Sequence, residues 1–132
     1  MCRPPRQERV PKQILDVGNC GFDHGNLQEL FARHFDAEVT QAHGAAEALR
    51  MLGDGQFDLV VINRKFDRDG GDGIDLIRQI KTDTALEATP VMLLSNYPQY
   101  QAEAAAAGAV AGFGKAELDA PQTAEKLRAV IG

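Results

Sequence analysis

The sequence predicts a doubly wound α/β fold, a single parallel sheet with helices on both faces, and three observations predict it. After Pro11 short apolar runs alternate with longer amphipathic ones, the pattern of parallel strands joined by helical crossovers. The run Phe57 to Ile62 (FDLVVI) ends in four aliphatic residues with no polar alternation, which implies burial on both faces and a central strand. A chain of 132 residues with 44% hydrophobic and 25% charged residues suits one domain with one core and argues against disorder or low complexity.

Each element follows in order. Gln13 to Val17 (QILDV) reads as the first strand, ended by Gly18 and Asn19. Gly25 to His34 reads as the first helix, because Leu27, Leu30 and Phe31 fall on one helical face. Glu38 to Gln41 is a weak second strand, and Ala45 to Leu52 a helix stopped by Gly53. Phe57 to Ile62 is the third strand, Asn63 to Gly73 a polar, glycine-rich loop, and Ile74 to Lys81 a helix with Ile74, Ile77 and Ile80 on one side. Pro90 opens the strand Val91 to Leu94, where a missing N–H costs least. Tyr100 to Ala107 is alanine-rich and helix-prone, ended by Gly108. Ala109 to Phe113 is the fifth strand, and Ala120 to Ile131 the last helix, with Pro121 in its first turn. Right-handed crossovers then give a flavodoxin-like three-layer sandwich with strand order 2-1-3-4-5. Residues 1–11 form a proline-containing tail ahead of a domain spanning 12–132.

Charge and cysteine content narrow the function. The formal charge of -5 disfavours nucleic-acid binding through a broad basic face. The N-terminal stretch differs, with Arg3, Arg6, Arg9 and Lys12 against Glu8 alone, and reads as a solvated extension or a basic docking arm. Cys2 and Cys20 lack the spacing of a zinc or redox motif and read as free thiols. The longest apolar runs fall far short of the roughly 20 residues needed to span a membrane, and the N-terminus lacks a secretion signal. The expected location is cytoplasmic.

In this fold the loops beyond the carboxyl ends of the strands form the site, and those ends supply Gly18, Asn19, Asn63, Ser95, Asn96 and Lys115. QILDVGN, FDLVVIN, PVMLLSN and AVAGFGKA stand where the receiver domain of two-component response regulators ends its first, third, fourth and fifth strands. AHGAAEALRML is similar to that family's second strand-to-helix passage. From about Lys12 to its end the chain therefore resembles a receiver domain.

The resemblance implies a site with its chemistry dismantled. Receivers use an acidic pair after the first strand to hold magnesium, an aspartate after the third as phosphoacceptor, a Ser or Thr after the fourth and Lys-Pro after the fifth. By this correspondence Asn63 stands at the phosphoacceptor position and Gly18 and Asn19 at the acidic pair, while Ser95 and Lys115 are retained and Phe113 is the switch aromatic. An amide oxygen is a poor nucleophile, and without its anionic ligands a hard dication has little reason to bind. No cofactor is expected, magnesium included. Asn63 itself reads either as a polar residue suited to a turn or as an exchange that inactivates the switch. Ala116 replaces the proline, so a cis peptide is not expected there, and the segment from Asn63 to Gly73 is longer than usual.

Other candidates come from the residues themselves. Asp16, inside the first strand, needs a hydrogen bond or a cation; parity places it on the side of Gly18, with Lys115 as a candidate partner. Asp67, Asp69 and Asp72 crowd one loop but lack the closing glutamate of a calcium loop. Asp23 and His24 read as a helix cap with an exposed neighbour rather than as a catalytic pair, and Tyr97, Tyr100 and Phe66 as an exposed apolar rim. The expected function is a pseudo-receiver: not an enzyme, but a phosphorylation-independent interaction module. Its partner would be a signalling protein or a second copy in a homodimer, docking on the fourth helix, fifth strand and fifth helix (97–107 and 113–127). The alternatives are a phosphoryl-accepting switch on a displaced acid such as Asp67, and a sensor of small anions on Lys115 and Ser95.

Overall fold

The computed structural model describes residues 11–132; Cys2 and the arginines of the expected tail lie outside the described residues. The elements run β1 (Lys12–Val17), α1 (Gly21–His34), β2 (Ala37–Ala42), α2 (Ala45–Asp54), β3 (Leu59–Asn63), α3 (Gly73–Thr82), β4 (Val91–Leu94), α4 (Pro98–Ala106), β5 (Val110–Phe113) and α5 (Pro121–Ile131), with a 3-10 turn at Lys115–Glu117. The strands form one sheet of order β2-β1-β3-β4-β5, and every neighbouring pair is parallel.

Strand alternation divides the core between the two faces. Leu15, Val17, Val60, Ile62, Val91 and Leu93 pack with Leu52, Ile74, Ile77 and Ile80 of α2 and α3. Ile14, Leu59, Val61, Met92, Leu94 and Phe113 pack with Leu27, Leu30 and Phe31 of α1 and Leu127 of α5. Residues 59 to 62 of β3 are wholly buried, and burial of each such aliphatic side chain contributes on the order of 1.5–3 kcal/mol. That places β3 at the centre of the sheet.

Most boundaries move by one or two residues from the sequence expectation, and three of the differences have a physical reason. Helix α1 starts at Gly21 rather than Gly25, because its first turn sits at the sheet rim, with Phe22 78% exposed, and carries no apolar periodicity. Helix α2 runs through Gly53 to Asp54, and the N–H of Gly55 closes it on the Met51 carbonyl at 3.0 Å; an interior glycine costs about 1 kcal/mol, which packing of Leu52 offsets. Helix α4 begins at Pro98 rather than Tyr100, with proline at a first-turn position that needs no N–H.

Candidate functional site

The carboxyl ends of β1 and β3 are stapled together by one amide. Asn63 closes β3, and its Nδ2 donates to the carbonyls of Gly18 (3.2 Å) and Lys65 (2.7 Å). The N–H of Asp67 donates to the same Gly18 carbonyl at 2.8 Å, so the loop from Asn63 to Gly73 folds back over the end of β1. Within it Phe66 N–H donates to the Gly71 carbonyl and Gly71 N–H to Asp69 Oδ1. Asp72 caps α3 by accepting from Ile74 N–H at 2.9 Å.

This folding-back buries Phe66, which is 3% exposed and so is no part of an exposed rim. Its ring lies on Gly18, where a Cβ would overlap ring carbons, and Gly18 itself has φ +84°, a conformation that L side chains rarely adopt. The Asp67 carboxylate is exposed and has no hydrogen-bond or ion-pair partner among the described residues. It is the Asp67 backbone, not its side chain, that reaches Gly18.

Asp16 and Lys115 do not meet. Asp16 shares the parity of Ile14, which sends its side chain under α1. There its Oδ1 accepts from Asn19 Nδ2 at 2.5 Å and its Oδ2 lies 2.7 Å from His24 Nδ1. The carboxyl is fully buried, and this desolvation pushes its pKa up, against the lowering effect of the Asn19 and His24 hydrogen bonds. His24 is thus a partner rather than an exposed neighbour. Asp23 is not the cap either: α1 starts two residues earlier with Cys20 as its N-cap, and Asp23 Oδ2 instead pairs with Lys115 Nζ at 2.7 Å and accepts from the Cys20 thiol at 3.5 Å. The sequence hid both pairings because they depend on the early start of α1.

Ser95, after β4, accepts from the Tyr97 N–H at its Oγ (3.2 Å), and Asn96 Oδ1 accepts from the Ala116 N–H at 3.0 Å. Gln101 of α4, which sequence reasoning passed over, donates through Nε2 to the carbonyls of Leu93 (3.0 Å), Ser95 (3.0 Å) and Phe113 (3.4 Å). Phe113 is turned inward and is 1% exposed. Between the ends of β3, β4 and β5 lies a cleft of about 300 Å³ bordered by Asn63, Arg64, Lys65, Ser95, Tyr97 and Lys115. Tyr97 is exposed on its lip and stacks edge-on against the half-buried Tyr100 (5.9 Å). The Arg64 guanidinium sits 4.2 Å above the Tyr100 ring, a cation–π contact not visible in the sequence spacing. Among the described residues no group of three His, Cys, Asp or Glu side chains is placed to hold a metal ion, and no helix is long and apolar enough to cross a membrane.

The chain is similar in fold to solved response regulators. A response regulator from Chloroflexus aurantiacus, described as putative, superposes with a TM-score of 0.79 at 17% identity over 92% of this chain and 98% of that one. One from Thermotoga maritima gives 0.75 at 22% over 92% and 98%. The chemotaxis response regulator CheY4 of Vibrio cholerae gives 0.69 at 19% over 92% and 97%. No curated protein matches the chain. The sequence profile of the response regulator receiver domain matches residues 24–128, which with the five-stranded sheet of order 2-1-3-4-5 makes this chain a member of the response regulator receiver domain family.

Proposed function

We propose that the domain is a pseudo-receiver, a signalling module that binds a partner without being phosphorylated. The observation that carries this reading is the Asn63 amide, whose two hydrogens are both committed to carbonyls. A carboxylate has no hydrogen to donate, so the loop is built around an amide at the position where the resemblance expects a phosphoacceptor. The donor set does not fit a divalent cation either. Gly18, Asn19 and Asn63 bring no charge, Phe66 covers Gly18, and a hard dication requires anionic oxygens. No phosphoryl-transfer step follows from these residues.

The interaction face under this reading is α4, β5 and α5. Its support is a second cleft of about 570 Å³ bordered by Gln101, Ala102, Ala105, Gly112 and Lys126; the assignment otherwise rests on analogy with the fold. The test of the reading is intact-mass spectrometry after incubation with acetyl phosphate and magnesium. The expected result is no phosphoryl adduct on the wild type or on Asn63→Asp. An adduct on the wild type mapping to Asp67 would overturn the reading in favour of a displaced acceptor, and an adduct on Asn63→Asp would mean that the pocket had kept the rest of its chemistry.

A further inference from the structure

We propose that the cleft between the ends of β3, β4 and β5 receives an acidic side chain, Asp or Glu, presented by the partner protein; this rests on the reading of the domain as an interaction module. Arg64, Lys65 and Lys115 border the cleft and, among the described residues, no carboxylate does, in a protein whose formal charge is -5. Arg64 and Lys65 have no carboxylate partner among the described residues. Lys115 gives one hydrogen to Asp23 and keeps two of the three an ammonium carries. The Ser95 Oγ accepts from Tyr97 N–H, which leaves its own proton to donate. Both Asn63 amide hydrogens are taken. What the cleft offers is therefore positive charge and unused donors, and the complement is a group that only accepts and carries negative charge.

The size and rim of the cleft suit a side chain carried by a protein. The cleft, about 300 Å³, has room for a single acid-tipped side chain. Tyr97, 59% exposed on its lip, offers the residue beside that acid a flat aromatic surface of the kind that anchors interfaces. Arg64 is already held against Tyr100, so little of its rotamer freedom is lost on binding. Ser95 and Asn96 border both this cleft and the larger one on the α4, β5 and α5 face, so one partner can cover that face and insert its acid here.

The experiment is a titration of the 15N-labelled full chain, followed by backbone amide shifts, with a Glu-rich peptide carrying one Leu, its Gln counterpart, and inorganic phosphate. Saturable shifts at residues 63–65, 95–97 and 115 are expected with the Glu peptide alone. They should weaken about tenfold or more in Arg64→Glu/Lys65→Glu and with rising salt, as screened charge pairs do. Lys65→Glu alone serves as the check should the double variant unfold, because Lys65 is exposed. Equal binding of the Gln peptide, phosphate binding without the Glu peptide, no saturable shift, or unchanged affinity in Lys65→Glu would each overturn the proposal. These failures are distinct from failure of the pseudo-receiver reading, which an acetyl phosphate adduct on the wild type alone would overturn.

Discussion

The side-chain amide of Asn63 donates to the Gly18 carbonyl at 3.2 Å while its second hydrogen serves the Lys65 carbonyl at 2.7 Å, so one residue ties β1 to the loop that follows β3. Asn63→Asp would set a carboxylate against two carbonyl oxygens. A loss of about 1–3 kcal/mol at neutral pH is expected from the unsatisfied groups, measured by urea denaturation. The deficit should shrink on acidification, since a protonated carboxyl regains one donor. A variant as stable as the wild type at pH 7 would show that the amide is not a staple.

Phe66 and Gly18 should behave as a coupled pair. Gly18→Ala meets both the φ of +84° and the Phe66 ring, and the left-handed conformation alone costs roughly 1–2 kcal/mol for a residue with a Cβ. Phe66→Ala empties a buried site, at a cost of about 3–5 kcal/mol. The double variant should lose less than the two single losses added, because the alanine methyl fills space the ring has vacated. Strict additivity in thermal melts would show that ring and glycine do not press on one another.

Asp16 gives the protein a pH dependence of known sign. Burial raises its pKa above the ordinary 3.8 in the fold, so the folded state holds this proton more tightly than the unfolded chain. Its contribution is fully present below about pH 3.8 and is lost as the pH rises through the raised value. The facing groups are Asn19 and His24, with Asp23 as a like charge that adds to the shift. Asp16→Asn keeps an acceptor for Asn19 and cannot titrate. The stability difference between wild type and Asp16→Asn should therefore fall with rising pH across that window, and a flat difference would count against it. Asp16→Ala, which strands the Asn19 amide and His24, should lose about 1–3 kcal/mol at low pH, and that loss should likewise shrink as the pH rises through the same window.

The centre of the sheet was legible in the sequence because β3 and β4 are buried on both faces and read as unbroken aliphatic runs, as Leu59 to Ile62 do. The strand ends were legible for the same reason, since a run that stops marks where a site begins. The pairings across those ends were not. His24 reaches Asp16 and Asp23 reaches Lys115 only because α1 starts at Gly21, and glycines there conceal the helix from any count of apolar periodicity. Phe66 looked like an exposed aromatic because its loop is polar. Its burial comes from the Asn63 and Asp67 hydrogen bonds to Gly18, which join residues far apart in the chain and leave no local pattern.

Gln101 should set how firmly α4 is held to the sheet. Its single NH₂ group faces the carbonyls of Leu93, Ser95 and Phe113, and two N–H bonds shared among three acceptors bind the ends of β4 and β5 to one helix. Ala104 is the helix's one fully buried residue, with Tyr100 half-buried beside it. Gln101→Met keeps the side chain's length and apolar stem but leaves those carbonyls without this donor, for an expected loss of about 1–2 kcal/mol. Because the lost contacts are local, the change should appear chiefly in sub-global opening. Hydrogen exchange at the amides of α4 should quicken about fivefold to thirtyfold, as a loss of that size implies, while the amides of β1 and β3 slow or quicken only with global stability. Uniform acceleration across the sheet would show instead that α4 and the core open as one unit. In that case Gln101 belongs to the cooperative core, and α4 could not move separately to meet a partner.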